Sequence, residues 1–426
     1  MMIIYNILFI FGFLFFLPSF LWKLIFRGGR KKDFLEKFSI FTVKKKEILK
    51  NYGGDIWIHS VSVGETQIAL TLINEWQKKN PERRFVLSTT TTTAQELAYK
   101  KLPPNTALIF CPIDFIFFVR RALRFIRPKI LVIFETEIWP NMIYETARRK
   151  VQLALVNARL SDNSVKGYER FKFFFAPLLS KFQIICVQSQ IDEQRFLRIS
   201  QKLPIHICGN MKFDQDIKTI DCSDIQLDRI FGDGKKIIIL AASTHPGEEE
   251  FIARAFLKLK EKFNESKLII VPRHAERGIF IASELKKLGI SFLRRSENKQ
   301  IQGVVDCLLA DTTGELLKFI QLSDIVIMGK SLAGHKEGHN LIEPALLEKP
   351  IITGGVITNF RFILKVLLDE DGVITVFDFE QLYNELEKLA ALPELRLKIG
   401  KNAKRAVMKH RGAVEKTINL LEKLQN

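Results

Sequence analysis

The stretch "VIFETEIWPN" (132–141) ends an apolar run in two carboxylates, Glu135 and Glu137, set one residue apart. A third, Glu65, stands in "HSVSVGETQIA", where a glycine and an acid meet at a strand-to-helix turn. Glu65 reads either as a helix-start carboxylate complementing the dipole or as a general base. If the strand persists, Glu135 and Glu137 alternate in direction and only one of them faces a ligand. Glu135 reads either as half of an ion pair with a nearby Lys or Arg or as a charge-stabilising group. Lys212 in "GNMKFD" is a point charge suited to a leaving phosphate or a sugar carboxylate. Arg273 in "VPRH" suits a phosphate. The "TTGEL" turn (Thr313, Gly314, Glu315) opens a helix whose free amides can take a base edge or a phosphate. Asn340 and Glu343 in "GHNLIEP" share a face if helical, and a carboxylate there can accept both hydroxyls of a ribose.

Those residues are useful only if strands deliver them. Fourteen apolar runs are spaced like βα units and are continuous rather than alternating, as in parallel strands covered on both faces. Seven lie between "DIWIHSVS" (55–62) and "IHICGN" (205–210), and seven between "KKIIILAAS" (235–243) and "VITVFD" (373–378). This is an α/β chain with two Rossmann-like domains facing a cleft at the carboxyl ends of their strands. The expected division is 1–22 membrane anchor, 23–54 basic linker and first helix, 55–212 N-terminal Rossmann-like domain, 213–234 connector, 235–400 C-terminal Rossmann-like domain and 401–426 terminal helix.

Composition narrows the partners. With 65 Lys+Arg against 47 Asp+Glu, the net charge is +18, which suits an anionic partner. "MIIYNILFIFGFLFFLPSFLW" (2–22) is about as long as a spanning helix. Basic residues come after it and none precede it, which puts the body on the cytoplasmic face whether the helix spans or lies in one leaflet. That choice favours an anionic membrane surface over nucleic acid. Cys111, Cys186, Cys208, Cys222 and Cys307 form no CxxC pair and read as reduced core residues. No HExxH, Walker or GxGxxG pattern occurs, and "DQD" (214–216) and "DED" (369–371) match a metal motif only in spelling, so neither metal nor cofactor is expected.

"HSVSVGE", "ETEIWPN", "NARLS" (157–161), "GNMKFD", "STHPGEE", "VPRH", "DTTGEL" and "GHNLIEP", in this order, resemble the 3-deoxy-D-manno-octulosonic acid (Kdo) transferases of lipopolysaccharide synthesis. The resemblance implies a GT-B fold and metal-independent, inverting transfer of Kdo from CMP-Kdo to the 6′-hydroxyl of a lipid A precursor at the inner membrane. It implies Glu65 as general base, Glu135 and Lys212 as transition-state stabilisers, and Pro272, Arg273, Thr313, Gly314, Glu315, Asn340 and Glu343 as CMP contacts. One departure stands out: "GKSLAGHKEGHN" puts Lys330 and Glu337 where the family commonly has glycine. The alternatives are a membrane-associated GT-B enzyme using a UDP-sugar and a basic, non-enzymatic binding protein whose carboxylates only cap helices.

Overall fold

A computed structural model describes residues 2–13, 31–217, 220–297 and 304–424. Each of the fourteen apolar runs contains a strand. The first seven are β1 (Ile56–Ser60), β2 (Phe85–Thr89), β3 (Thr106–Phe110), β4 (Ile130–Phe134), β5 (Gln152–Ala158), β6 (Ile184–Val187) and β7 (Ile205–Ile207). The second seven are β8 (Ile237–Thr244), β9 (Ser266–Pro272), β10 (Phe292–Arg294), β11 (Cys307–Leu309), β12 (Ile325–Met328), β13 (Ile351–Gly354) and β14 (Ile374–Val376). They form two parallel sheets, ordered β3-β2-β1-β4-β5-β6-β7 and β10-β11-β9-β8-β12-β13-β14. β1 to β4 are buried along their whole length, which is why their sequences are apolar without a break. Successive residues point to opposite faces. Trp57, Leu131 and Ile133 therefore join one core layer, while Ile56, Ile58, Val132 and Phe134 join another. The second sheet has its own core around Ile239, Phe256, Ile270 and Ile327.

Each sheet has one place where the strand order reverses: between β1 and β4 in the first, and between β8 and β12 in the second. Side chains just beyond those strands stand in the crevice where parallel α/β sheets bind ligands.

The structure divides the chain differently from the sequence expectation. One unit comprises residues 1–215 and 411–426, and the other 216–410. Residues 213–215 stay with the first sheet because Phe213 is buried there. Asp214 also accepts the Gly412 and Val414 amides at 2.5 and 2.6 Å, capping the helix Ala413–Lys423. That helix buries Val414, Ile418 and Leu421 in the core layer shared by Trp76, and Glu422 accepts the Trp76 indole N–H at 3.1 Å. The expected terminal segment 401–426 is thus split. Residues up to Lys409 continue a helix of the second unit, Pro393–Lys409, and the remainder returns to the first.

Only part of the expected anchor, 1–22, falls within the described residues. Among the described residues no helix is long and apolar enough to cross a membrane. Residues 2–13 are helical, about 18 Å of helix. The rest of the expected anchor lies outside the described residues. The helical part is docked rather than free. Tyr5 donates to the buried Asp114 carboxylate at 2.9 Å, and Asn6 exchanges amide hydrogen bonds with Asn141 at 3.0 Å.

Candidate active site

Glu65 lies in the first turn of the helix Val63–Lys79, which comes directly after β1. Ser62 caps that helix, its Oγ accepting from the Glu65 amide at 3.3 Å. In return, the Glu65 carboxylate accepts from the Ser62 hydroxyl at 2.7 Å and from the Val61 amide at 2.9 Å. This is the helix-start arrangement that the sequence pattern allowed. The same bonds fix the carboxylate in one place, 7 % exposed, with lone pairs left on both oxygens. Burial pushes its pKa up and the Glu135 charge adds to that, against the pull of the Val61 and Ser62 hydrogen bonds. A Cβ at Gly64 would meet nothing within 4 Å, so the fold itself makes no steric demand for glycine beside the acid.

Glu135 and Glu137 do not alternate as a continued strand would have made them. β4 stops at Phe134, and Glu135 takes a left-handed conformation with φ 52° while its amide still bonds Val156 O at 2.9 Å. A non-glycine residue in that region carries strain of order 1 kcal/mol and is found where a site holds it in place. The reversal brings both acids towards Glu65. Burial pushes the Glu137 pKa up to about 7, helped by the charges of Glu65 and Glu135. The next residues end the turn: Trp139 is the N-cap and Pro140 the first residue of the helix Pro140–Arg148. The Trp139 ring stands edge-on to buried His59, centroids 6.3 Å apart.

Two cations hold Glu135. Arg159 Nε is 3.3 Å from one oxygen, and Lys212 Nζ is 3.6 Å from the other. Lys212 reaches it because the Met211–Asp214 turn is fastened to β5. The Asn157 side chain accepts the Met211 amide at 3.0 Å, and Asn210 accepts the Lys212 amide at 2.9 Å. The ion-pair reading of Glu135 is therefore realised, and its second oxygen points at the expected stabiliser, Lys212. Arg159 received no role from the sequence. The signal that marks it is its position: it directly succeeds β5, the strand beside β4.

The remaining candidates all belong to the second unit. Pro272 closes β9, and the amide of exposed Arg273 bonds Thr244 O at 3.0 Å. Thr313 and Gly314 are exposed in the turn after β11. The Glu315 carboxylate is taken by Arg295 at 2.8 Å. Burial alone would raise its pKa, but hydrogen bonds from Arg295 and Thr312 outweigh that and hold it low. Asn340 and Glu343 do not share a helical face. The helix is Ile342–Leu346, so Glu343 lies in its first turn while Asn340 precedes it and accepts the Ile342 amide at 3.2 Å. Leu341 is the N-cap, and Asn340 closes a turn just before it, its short amide competing for a backbone N–H. Lys330 stands at φ 60°, the conformation glycine adopts without strain. Among the described residues no group of three or more His, Cys, Asp or Glu side chains is placed to hold a metal ion.

Residues 32–215 match the family model described as 3-Deoxy-D-manno-octulosonic-acid transferase (kdotransferase). The 3-deoxy-D-manno-octulosonic acid transferase of Haemophilus influenzae is 32% identical over 369 residues, covering 86% of this chain and 86% of that protein. The Rickettsia felis transferase is 34% identical over 334 residues, 78% of this chain and 71% of its own length. Among solved structures, the UDP-GlcNAc 2-epimerase of Neisseria meningitidis superposes with a TM-score of 0.60 at 14% identity, covering 87% of this chain and 100% of that one. A glycosyltransferase from Rickettsia africae gives 0.57 at 12%, covering 88% and 99%. At these identities the two structures speak for the fold alone, a pair of Rossmann-like sheets. Similarity to the transferases runs along most of both chains, and with it the chain belongs to the 3-deoxy-D-manno-octulosonic acid transferase family of glycosyltransferases.

Proposed function

We propose that this enzyme moves Kdo from CMP-Kdo to a hydroxyl of a lipid A precursor, the 6′-hydroxyl, with inversion at the anomeric carbon and without a metal ion. The observation that carries the chemistry is the placement of Glu65 and Glu135 beyond β1 and β4, on either side of the strand-order reversal, with Lys212 on Glu135. In this reading the acceptor oxygen attacks the anomeric carbon as its proton passes to Glu65. The bond from that carbon to the CMP phosphate oxygen breaks, and CMP leaves with the electron pair. A base with a raised pKa suits this task, since it holds the proton more firmly than an ordinary carboxylate. Glu135 supports positive charge developing in the sugar ring, and Lys212 meets the leaving phosphate or the sugar carboxylate. Pro272, Arg273, the Thr313–Glu315 turn, Asn340 and Glu343 contact CMP.

The reaction is placed at the cytoplasmic face of the inner membrane. Support comes from the helix at residues 2–13, which turns Ile3, Ile4, Leu8 and Phe11 outward while Phe9 stacks on Phe115 and Phe115 packs against exposed Phe117. An apolar face of this kind on a chain of net charge +18 suits an anionic lipid surface.

The test is transfer from labelled CMP-Kdo to a lipid A precursor, with protection from thermal unfolding measured in parallel. Product formation lost in Glu65→Ala, with protection by CMP and none by UDP, is the expected result. Protection by UDP in place of CMP would turn the donor assignment to a UDP-sugar.

A further inference from the structure

Glu248 is 0 % exposed, yet among the described residues no cationic side chain is bonded to its carboxylate. Four backbone amides are. One oxygen accepts from Lys330 at 2.7 Å and from His245 at 2.9 Å, and the other from Ser331 at 3.0 Å and Leu332 at 2.9 Å. A buried carboxylate satisfied this way ties two segments together: the turn after β8 and the loop after β12. These strands flank the order reversal of the second sheet. The loop needs such a tie. Lys330 and Ala333 have φ of 60° and 48°, each at a cost near 1–2 kcal/mol. At Gly329 a Cβ would fall 2.8 Å from a Glu248 oxygen and 2.6 Å from Ser243 O, so the backbone is drawn hard against the acid.

What the tie brings together is a pair of imidazoles. His245 Nε2 and His339 Nε2 are 3.1 Å apart, and His335 Nε2 meets Pro246 O at 3.0 Å. The Lys330 charge acts on both rings, that of Arg273 on His339 and that of Arg277 on His245. Two imidazoles in contact, with positive charge around them and no carboxylate among the described residues bonded to either ring, form a receptor for an anion.

We propose that Glu248 is the positioning residue of the donor loop: its carboxylate holds the loop's amides so that His245 and His339 stand together to receive an anionic group of the sugar nucleotide, its phosphate or its carboxylate. The functional half of this proposal rests on the donor reading above, and the structural half does not.

The full chain is compared as wild type, Glu248→Gln, Glu249→Gln and His339→Gln. Glu249 is the control: it is equally buried but pairs with Arg277 at 2.6 and 3.1 Å. In Glu248→Gln, one oxygen still accepts while the new NH2 group faces two donors. Without nucleotide, hydrogen exchange across 330–332 should quicken by roughly tenfold or more while β9 keeps its protection. CMP affinity should fall, or KM for CMP-Kdo should rise, by a similar factor. Glu249→Gln should lower the melting temperature and do neither. Unchanged exchange, or loss of protection throughout the second unit, overturns the clamp. A freed loop with CMP affinity and KM both unchanged overturns its service to the donor. If the wild type does not bind CMP, the donor reading fails and the exchange data still judge the clamp. In His339→Gln, weaker CMP with unchanged cytidine assigns the phosphate. Unchanged CMP with a raised KM for CMP-Kdo assigns the sugar carboxylate, and no change in either removes the imidazole pair from the site.

Discussion

Glu65→Gln separates a catalytic base from a helix cap, because the two roles predict effects of different size. In the structure, the carboxylate accepts from the Val61 amide and the Ser62 hydroxyl. A carboxamide can keep both contacts: its oxygen accepts from Val61, and its NH2 donates to Ser62 Oγ, which is acceptor as well as donor. What is lost structurally is the charge at the helix start, worth about 0.3–1 kcal/mol. Part of that is returned, because repulsion with Glu135 and Glu137 disappears. The fold should therefore lose about 1 kcal/mol or less, a shift of a few degrees at most in a melt. Loss of a general base costs on the order of 10²–10⁴ in rate, about 2.7–5.4 kcal/mol on the barrier. The assay is turnover at saturating CMP-Kdo and acceptor, as a function of pH, beside a thermal melt at each pH. In the wild type, Glu65 must be ionised, so activity should rise with pH through an acidic limb displaced upward by its burial. In Glu65→Gln that limb should vanish from the residual activity, while Glu135→Gln should lose turnover and keep it. The assignment fails if turnover falls less than tenfold while stability drops. It reverses if the limb survives in Glu65→Gln and disappears in Glu135→Gln.

Glu343→Ala should raise KM for CMP-Kdo more than it lowers turnover, by about 1.5–3 kcal/mol if a hydrogen bond from the carboxylate to the ribose is lost; steady-state kinetics check it. Tyr5→Phe leaves the buried Asp114 carboxylate one donor short, a cost of about 1–3 kcal/mol in a denaturant melt, and an unchanged midpoint would mean that the N-terminal helix is not latched there. Acidification should weaken the second unit. His339 has its pKa lowered to about 4, first by burial and then by neighbouring positive charges, so the unfolded chain binds the extra proton and stability is lost as pH falls from about 6.5 through 4. The drop in melting temperature between pH 7 and pH 5 should then be smaller in His339→Gln than in the wild type. Replacing Ile4 and Leu8 with Glu should abolish binding to anionic-lipid vesicles, and wild-type binding should weaken with salt; salt-insensitive binding by that variant would place the lipid contact elsewhere.

The sequence alone determined every strand and the positions just beyond them, because fully buried parallel strands must be apolar throughout and a βα turn must succeed each one. Glu65, Lys212 and Arg273 were legible for that reason. Only the tertiary structure decided what those residues meet. Glu135 turns left-handed where β4 stops, so Glu137 joins it rather than facing away. Arg159 and Lys212 converge on Glu135 because strand order, invisible to local periodicity, sets β5 beside β4 and ties the Met211–Asp214 turn to β5 through Asn157. Asn340 closes a turn ahead of the helix where a shared helical face was expected, since its side chain competes for a backbone N–H. The helix Ala413–Lys423 is amphipathic in sequence, but which sheet its apolar stripe covers depended on Asp214 and Trp76, far away along the chain. The run 2–22 read as an apolar anchor, and only the fold shows that its first part, 2–13, is docked through Tyr5 and Asn6 on buried Asp114 and Asn141. Periodicity reports which faces avoid water. The partner that covers each face is set by contacts between residues distant in sequence, and those exist only once the sheets have formed.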